Sequence, residues 1–293
     1  MKNKKLISPA KILLFSFLII YSISIIFLLA WAVFTSLKTN REFLIDQNFF
    51  GLPKVFAFEN YKAVFDNFYV RVHRGGELIY IRMLEQLYYT VIYAGLGCFA
   101  SAVAPLLVAY ACTRFNYKTN VILTTTVLLS MIIPIVGAQT SMVSVLHELN
   151  CFDTLYGAVI MKFNFANIYF LIYIGVLGGI SKSFSEAAVI DGANEMQIAL
   201  KVIFPLVKNV FLTVMLIFFI EYWNDYNMPL LYMPSHPTLA YGVWFLANNT
   251  TGDLNVTPRK MAGCMMIVVP ITILFIIFKD KLMDNLSMGG VKE

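Results

Sequence analysis

The sequence predicts an all-α, polytopic membrane protein with six transmembrane helices. Hydrophobic residues make up 59% of the 293 residues and charged residues only 13%, a balance typical of a chain that lies in lipid. The second observation is a series of apolar runs, each long enough to cross a bilayer as a helix. The six runs cover about 12–34, 88–111, 121–145, 156–180, 206–231 and 261–278.

The first run follows a lysine-rich start, as a signal peptide would, but its apolar core is too long and no small-residue cleavage site follows it. We therefore expect it to remain as span 1. Residues 38–86 are polar, with scattered aromatic side chains, and are predicted to form an external segment. No second domain is indicated, so residues 1–293 are predicted to be one membrane domain with its core at about 85–280.

Three features are predicted inside the runs. Pro134 and Pro270 interrupt the third and sixth runs and are expected to kink those helices. In the second run, Ala94 recurs with Cys98 and Ala102 at every fourth position, a small-residue face suited to close helix packing. Lys162 lies near the start of the fourth run and is expected to extend to the outer surface.

Basic residues set the predicted orientation. The loops 146–155 and 232–258 contain no Lys or Arg, which is typical of short outer loops. Both termini are then cytoplasmic, and residues 181–205 lie on the cytoplasmic side. The inner segments carry Lys2, Lys4, Lys5, Lys11, Arg114, Lys118, Lys182, Lys201, Lys208, Lys279, Lys281 and Lys292.

Several function classes lack support in the sequence. The net charge of +5 is explained by charges that flank spans, and no basic block interleaved with aromatics indicates nucleic-acid binding. No phosphate-binding loop of the G-x-x-x-x-G-K-[ST] type occurs, so ATP would have to be hydrolysed by a partner. The cysteines and histidines show no metal-ligand spacing, and we expect no catalytic, cofactor or metal site in this chain. These residues are Cys98, Cys112, Cys151, Cys264, His73, His147 and His236.

One long polar segment, Ser183–Pro205, separates two apolar runs in the second half of the chain. Ser183 with Glu186 three residues later predicts a capping box at the start of a helix. Gly192 is placed where that helix ends, because glycine adopts the left-handed terminal conformation without a steric penalty. The segment is therefore predicted to begin as a short helix that ends in a sharp turn.

The second half of this segment predicts another helix. Asn194 with Gln197 repeats the capping signal and predicts a second short helix. Pro205, which has no backbone N–H to donate, marks the start of the next apolar run.

The run Glu186-Ala187-Ala188, then Gly192, then Val202-Ile203-Phe204-Pro205 resembles the EAA loop of bacterial ABC-importer permeases, with Val202 and Phe204 as apolar departures from its Ile-x-Leu-Pro ending. The resemblance implies a type I importer permease fold with a cytoplasmic coupling helix that docks on an ATPase. Two alternatives stay open: an ordinary amphipathic loop, and a Glu186 that only caps its helix. The implied coupling residues are Glu186, Ala187, Ala188, Asp191, Gly192 and Pro205.

A second polar stretch, Glu221-Tyr-Trp-Asn-Asp-Tyr-Asn-Met-Pro229, lies near the predicted outer end of the fifth run and resembles the Trp-Asn-Asp segment of sugar-importer permeases. Glu221 and Asp225 are four residues apart and are predicted to share one helical face. The possible translocation-path residues are Glu221, Asn224 and Asp225. The alternative is an interfacial aromatic belt formed by Tyr222, Trp223 and Tyr226.

With residues 51–61 and the tail 286–293, which also resemble that branch, the chain resembles the smaller, six-span permease subunit of a carbohydrate ABC importer of the maltose-transporter type. The resemblance implies a second homologous permease in a heterodimer, a cytoplasmic ABC ATPase dimer that binds ATP and Mg²⁺, and an extracytoplasmic sugar-binding protein. It also implies the bacterial cell membrane, with lipid around the spans.

Two other functions stay open. The same machinery would carry glycerol phosphate, an amino acid or a peptide with an identical coupling loop. A membrane protein without transport activity, such as an intramembrane enzyme or an assembly protein, is the second alternative, although the runs show no paired catalytic groups.

Overall fold

Helices make up most of the computed structural model, which confirms the predicted class. The structure describes residues 9–115, 119–133, 137–248 and 253–287. Pro134, Lys118 and the tail from residue 288 lie outside the described residues, so the kink and the tail resemblance predicted there stay predictions. The chain forms two compact units, one of Met1–Phe68 with Phe245–Val269 and one of Tyr69–Trp244 with Pro270–Glu293.

The helices and strands follow in chain order. They are α1 (Pro9–Ser36), α2 (Asn40–Leu44), α3 (Glu59–Asn67), β1 (Tyr69–Arg74), β2 (Glu77–Arg82), α4 (Met83–Arg114), α5 (Thr119–Ile132), α6 (Ala138–Glu148), α7 (Leu155–Met161), α8 (Ile168–Gly178), α9 (Ser183–Ile190), α10 (Glu195–Gln197), a π-helical turn (Ile198–Ile203), α11 (Phe204–Trp223), α12 (Asn227–Tyr232), α13 (Leu239–Asn248) and α14 (Thr257–Ser287).

Within the described residues, four helices are long and apolar enough to cross a membrane, and α8 with α9 would make a fifth if this bent pair is one broken span. In the third predicted run the described helix α5 has 14 residues, which is shorter than a full crossing. The count of six therefore stays a prediction. The four long helices are Lys11–Ser36, Met83–Arg114, Glu195–Trp223 and Thr257–Ile277.

In the first unit, the chain that follows α1 folds around a buried lysine. The Lys38 side chain has no exposed surface, and its Nζ donates to the carbonyl oxygens of Asn48 (2.7 Å) and Phe49 (3.2 Å). Asn60 Nδ2 donates to the carbonyl oxygen of Lys38 (2.8 Å). Burial lowers the pKa of Lys38, and the nearby Glu42 carboxylate opposes that shift. The start of the predicted external segment is therefore held in one conformation by hydrogen bonds around Lys38.

In the second unit, β1 and β2 form an antiparallel hairpin, which the sequence analysis did not predict. Val70, Val72 and Ile81 alternate with exposed polar residues and are buried. The strands are joined at Gly75 and Gly76, whose φ angles of 62° and 86° match the two left-handed positions of a type I′ turn. The period-two alternation around Gly-Gly was the available signal for this hairpin.

Ser235, in the segment between α12 and α13, anchors the hairpin. Its carbonyl accepts a 2.7 Å hydrogen bond from Arg74 Nη2, and its hydroxyl donates to the carbonyl of His73 (2.9 Å). Its N–H donates to Asp153 Oδ1 (2.8 Å). Arg74 also reaches the hydroxyl of Tyr89 on α4 (3.3 Å). The hairpin, the turn before α7 and the segment after α12 therefore meet at one residue.

Stability at this anchor is expected to depend on pH through His236, whose Nδ1 lies 3.5 Å from Asp153 Oδ1. Burial, then the Arg74 cation, lowers the pKa of His236, while Asp153 opposes the shift. Below the usual His pKa the unfolded chain binds the proton more readily than the folded chain, so acidification removes stability in that window. We expect the thermal midpoint to fall between about pH 7 and pH 5 by less in His236→Phe than in the wild type.

The control for that measurement is the exposed His147, replaced as His147→Phe. An equal pH dependence in the wild type and in His236→Phe would contradict the assignment.

The core of the second unit lies where α4 packs against α8 and α11. Ala94, Cys98 and Ala102 are almost fully buried, which confirms the predicted small-residue face of α4. The facing stripe on α11 repeats at helical spacing. It consists of Val207, Phe211, Val214 and Phe218.

Candidate coupling segment and buried polar cluster

Helix α9 begins the segment 183–205 and bends 67° away from α8. The capping box predicted at Ser183 is wrong, because Ser183 is itself the first helical residue and a capping side chain must precede it. Its hydroxyl instead forms a 2.8 Å hydrogen bond with the hydroxyl of Ser181. Glu186 is exposed, and its carboxylate has no hydrogen-bond or ion-pair partner among the described residues. Its carboxylate is therefore free to contact another chain.

The turn after α9 is a Schellman motif that closes on Gly192. The N–H of Ala193 donates to the carbonyl of Ala188 (2.9 Å), and the N–H of Gly192 donates to the carbonyl of Val189 (3.0 Å). Gly192 has a φ of +81°, as predicted for the residue that ends this helix, and Asp191 precedes it as the helix cap. A Cβ at Gly192 would meet no atom within 4 Å, so the backbone conformation alone requires glycine.

The predicted second capping box is confirmed. Asn194 and Gln197 exchange two hydrogen bonds of 2.9 Å between side chain and backbone. The helix it starts is not short, however, and this part of the prediction is wrong. Glu195–Trp223 runs as one helix through the π-helical turn.

The π-helical turn explains why Pro205 does not end that helix. Pro205 lies at the start of α11, directly after the turn, and it has no N–H to donate. A π-helical turn changes the hydrogen-bonding register locally, which lets a helix continue past such a residue. The segment 183–205 is therefore joined rigidly to a long apolar helix.

One side of the segment is apolar and exposed. Ser185, Ala188 and Ile198 are buried against the second unit's core, whereas Ile190 is 85% exposed and Met196 67% exposed. Phe184 and Ala187 are exposed as well, and we name Phe184, Ala187, Ile190 and Met196 the outer face of the segment. Large apolar side chains exposed on a loop between helices are typical of a protein contact site.

The fourth predicted run is two helices, α7 and α8, separated by residues 162–167. The expectation that Lys162 extends to the outer surface is wrong, because its side chain is only 11% exposed. The helix break turns Lys162 inward, where its Nζ lies 3.6 Å from Asp225 Oδ2 and 3.9 Å from the ring centre of Tyr222.

Asp225 is held by several groups besides Lys162. Its Oδ2 accepts a 2.6 Å hydrogen bond from the hydroxyl of Tyr93 on α4. Its Oδ1 accepts from the backbone N–H groups of Asn227 and Met228, each at 3.0 Å, and so caps the start of α12. Asp225 therefore joins α4, the break at Lys162 and α12.

Ser101 completes this arrangement. Its hydroxyl donates to the carbonyl of Lys162 (2.9 Å), so it accepts the 2.6 Å hydrogen bond that it shares with the Tyr222 hydroxyl. We name the group the polar cluster, and its members are Tyr93, Ser101, Lys162, Tyr222 and Asp225. No sequence motif indicated this cluster, although the lysine in the fourth predicted run and the aspartate near the end of the fifth were the available signal.

The structure separates the three predicted path residues. The helix α11 ends at Trp223, so the prediction that Glu221 and Asp225 share a helical face is wrong. Glu221 and Asn224 are exposed, and Asn224 Nδ2 donates to the carbonyl of Ile220 (2.8 Å). Asp225 lies inside the polar cluster.

The aromatic-belt alternative also needs correction, because Tyr222 and Trp223 are buried rather than exposed at an interface. Tyr226 is 42% exposed and stacks on Trp244 with ring centres 6.0 Å apart. Among the described residues no group of three or more His, Cys, Asp or Glu side chains is placed to hold a metal ion.

The long apolar helices, one of which begins within the exposed segment 183–205, define a polytopic helical membrane protein. The chain belongs to the family described as binding-protein-dependent transport system inner membrane component, whose model matches residues 80–287. Membership implies a substrate-binding protein and an ATPase as partners.

Relatives in this family are similar along nearly the whole chain. A probable starch degradation products transport system permease, AmyC of Thermoanaerobacterium thermosulfurigenes, is 27% identical over 88% of both chains. The trehalose/maltose transport system permease MalG of Thermococcus litoralis is 26% identical over 96% of this chain and 97% of its own. The arabinooligosaccharides transport system permease AraQ of Bacillus subtilis is 23% identical over 97% of each.

A solved structure shows the same fold. It is a crystal structure of a bacterial ABC transporter involved in the import of the acidic polysaccharide alginate. The match has a TM-score of 0.74 and 19% sequence identity, and it covers 92% of this chain and 95% of the other.

Proposed function

We propose that this chain is one permease subunit of an ATP-driven ABC importer that takes up a sugar or oligosaccharide. The observation that carries the proposal is the segment 183–205, an exposed apolar face on a rigid turn that continues into a membrane helix. The relatives are transport permeases for sugars and oligosaccharides, and they supply the cargo class. In this proposal the chain is not an enzyme and holds no cofactor, since ATP and Mg²⁺ belong to the ATPase subunits.

The proposed coupling of the ATPase to the membrane helices depends on the rigidity of the segment 183–205. The outer face contacts the ATPase, with the free carboxylate of Glu186 available to a basic side chain there. The Schellman motif at Gly192 and the capping box at Asn194 fix α9 against the helix that starts at Glu195. A displacement of α9 is therefore passed to α11. The ATPase biases the permease toward one state only by contacting this segment differently in its two states.

The partners follow the same logic. A second, homologous permease would form a heterodimer with this chain and enclose the path between them. In this proposal both termini lie in the cytoplasm of a bacterial cell, which the basic residues of the inner segments support, and the sugar-binding protein delivers its cargo at the opposite membrane face.

We assign Glu221 and Asn224 to the translocation path, because their side chains are exposed. A carboxylate on a membrane helix must face protein or water, and Glu221 has no ion-pair partner among the described residues. Asp225 instead acts from within the polar cluster. The negative charge of Glu221 disfavours glycerol phosphate as the cargo, because two negative groups repel each other in a low-dielectric path.

Co-purification tests the class of function. The tagged chain is expected to bring down a second permease and an ATPase, and proteoliposomes that contain this complex are expected to take up sugar only with ATP and the binding protein. Uptake of an amino acid or peptide in place of sugar would correct the cargo alone. Recovery of the chain without an ATPase would contradict the transport function.

Ile190→Asp is expected to lower ATPase recovery and sugar uptake at least about tenfold, because a carboxylate would be buried in an apolar contact without a partner. The measurement is the amount of ATPase that co-purifies, together with the uptake rate. Ile190→Leu, which keeps an apolar side chain of similar size, is the matched control and is expected to behave as the wild type. Normal ATPase recovery with Ile190→Asp would show that the outer face is not the contact.

Glu186→Lys is expected to abolish uptake while the protein still reaches the membrane, because it reverses the charge offered to the ATPase. Surface charge reversal at an exposed position leaves the fold intact. Uptake at the wild-type rate would remove Glu186 from the coupling residues.

A further inference from the structure

A pocket that opens to solvent lies where α4 ends and where the chain passes from α8 into α9. Arg114, the last residue of α4, lines one side. Lys182 and Ser185, at the start of α9, line the other side. The pocket therefore adjoins the helix that we propose contacts the ATPase.

The polar groups that line this pocket are hydrogen-bond donors. Arg114 and Lys182 carry positive charge, and Thr113, Ser181, Ser185 and Tyr110 contribute hydroxyl groups. Among the described residues that line the pocket, none is acidic. Glu195 accepts two long hydrogen bonds from Arg114, from Nε and from Nη2, each of 3.5 Å, and the two side chains are 56% and 21% exposed. The remaining N–H groups of the guanidinium, including those of Nη1, stay available to a ligand.

One of these hydroxyl groups has no partner. The Tyr110 hydroxyl is buried and forms no hydrogen bond with a described residue. Ser185, which contributes another hydroxyl, is only 4% exposed. A buried donor without an acceptor costs free energy, so the pocket has the chemistry of a site that receives an anionic acceptor.

The position of the pocket relative to the membrane indicates which anion it binds. The apolar helix Met83–Arg114 ends at the pocket, and the phosphates of a bilayer lie at the level where apolar helices end. Basic pockets between membrane helices bind the head groups of anionic lipids. We propose that this pocket binds the phosphate group of an anionic phospholipid. A lipid seated there contacts α9 through Lys182 and Ser185 and holds the start of the coupling segment at the membrane surface.

The proposal goes beyond the importer function and does not depend on the cargo. It is tested with the purified complex in neutral detergent, by native mass spectrometry during titration with phosphatidylglycerol. We expect the Arg114→Gln/Lys182→Gln variant to bind its tightest phosphatidylglycerol about 30-fold more weakly than the wild type, from the loss of two charges near the membrane surface.

The matched control is Lys201→Gln/Lys208→Gln, which removes two exposed cations of the same region that do not line the pocket. This control is expected to bind phosphatidylglycerol as the wild type does. A loss in the control as large as in the pocket variant, or no loss in the pocket variant, would overturn the proposal. Ser185→Ala is a second variant that keeps both charges, and we expect it to weaken binding about tenfold, because a hydrogen bond to a charged group is lost.

Inorganic phosphate separates the two sources of the ligand. Phosphate that competes only weakly with phosphatidylglycerol supports a lipid site, because the acyl chains then contribute to binding. Phosphate that binds the complex as tightly as the lipid would assign the pocket to a soluble anion and overturn the lipid assignment. All of these measurements omit ATP, sugar and the binding protein, so a failed transport experiment would leave their result unchanged.

Discussion

Gly192→Val is expected to lower uptake at least about tenfold, because a residue forced into the left-handed conformation costs about 1–2 kcal/mol and a β-branched side chain tolerates it least. Gly192 has a φ of +81° in the Schellman motif that ends α9. With valine the turn opens, and α9 loses its fixed angle to the helix that begins at Glu195. The measurement is ATP-dependent uptake in proteoliposomes that contain equal amounts of complex.

Gly192→Asn is the matched control for that substitution. Asparagine accepts the left-handed conformation more readily than other residues with a Cβ, and the added atoms meet nothing within 4 Å. We expect this variant to transport at close to the wild-type rate. Equal uptake by the valine and asparagine variants would mean that the angle of α9 does not matter for coupling.

Asp225→Asn is expected to destabilise the protein by about 3 kcal/mol, because it leaves the Lys162 charge buried without its partner. The two side chains are 11% and 16% exposed, and they join α4, the break between α7 and α8, and α12. Asparagine keeps an oxygen for the cap of α12, so the loss reports the missing charge. The free energy of unfolding in detergent, measured by denaturant titration, tests this value.

The double variant Lys162→Met/Asp225→Asn is expected to recover at least about 1 kcal/mol of that loss, since it removes both charges. The exposed pair of Lys54 and Asp46 is the comparison, with a shorter distance of 2.9 Å but side chains 63% and 37% exposed. Asp46→Asn is expected to leave the free energy of unfolding almost unchanged, because solvent screens an exposed pair. Equal losses at Asp225 and Asp46 would show that burial of the cluster pair contributes nothing.

The prediction from sequence worked where local chemistry decides the outcome. A sharp turn after a helix requires a residue in the left-handed conformation, and Gly192 adopts it. The capping box of Asn194 and Gln197 lies within four consecutive residues, so it is visible in the sequence. The small-residue face of α4 was also predicted correctly, because small residues that recur at every fourth position lie on one side of a helix. The coupling residues were predicted through the resemblance around Glu186, and both their role and their contact with an ATPase remain a proposal.

The errors at Lys162 and Asp225 concern side chains whose partners are far apart in the chain. Lys162 alone in an apolar run was expected to extend to water, since nothing near it in sequence offered a carboxylate. Its partner Asp225 was assigned to the path because the end of α11 at Trp223 was not visible in the sequence. The π-helical turn was also missed. Pro205, which follows a polar segment, predicts a boundary between two helices, whereas the structure has one continuous helix there.

The sequence by itself determined the membrane class, the small-residue face and the turn at Gly192, because hydropathy, period and backbone conformation are local properties. Only the tertiary structure decided that Lys162 and Asp225 meet, that Glu221 stays exposed, and that Glu195–Trp223 runs as one helix. The physical reason is that a buried charge is tolerated only beside its partner, and the packing of α4, α8 and α11 determines which residues become partners.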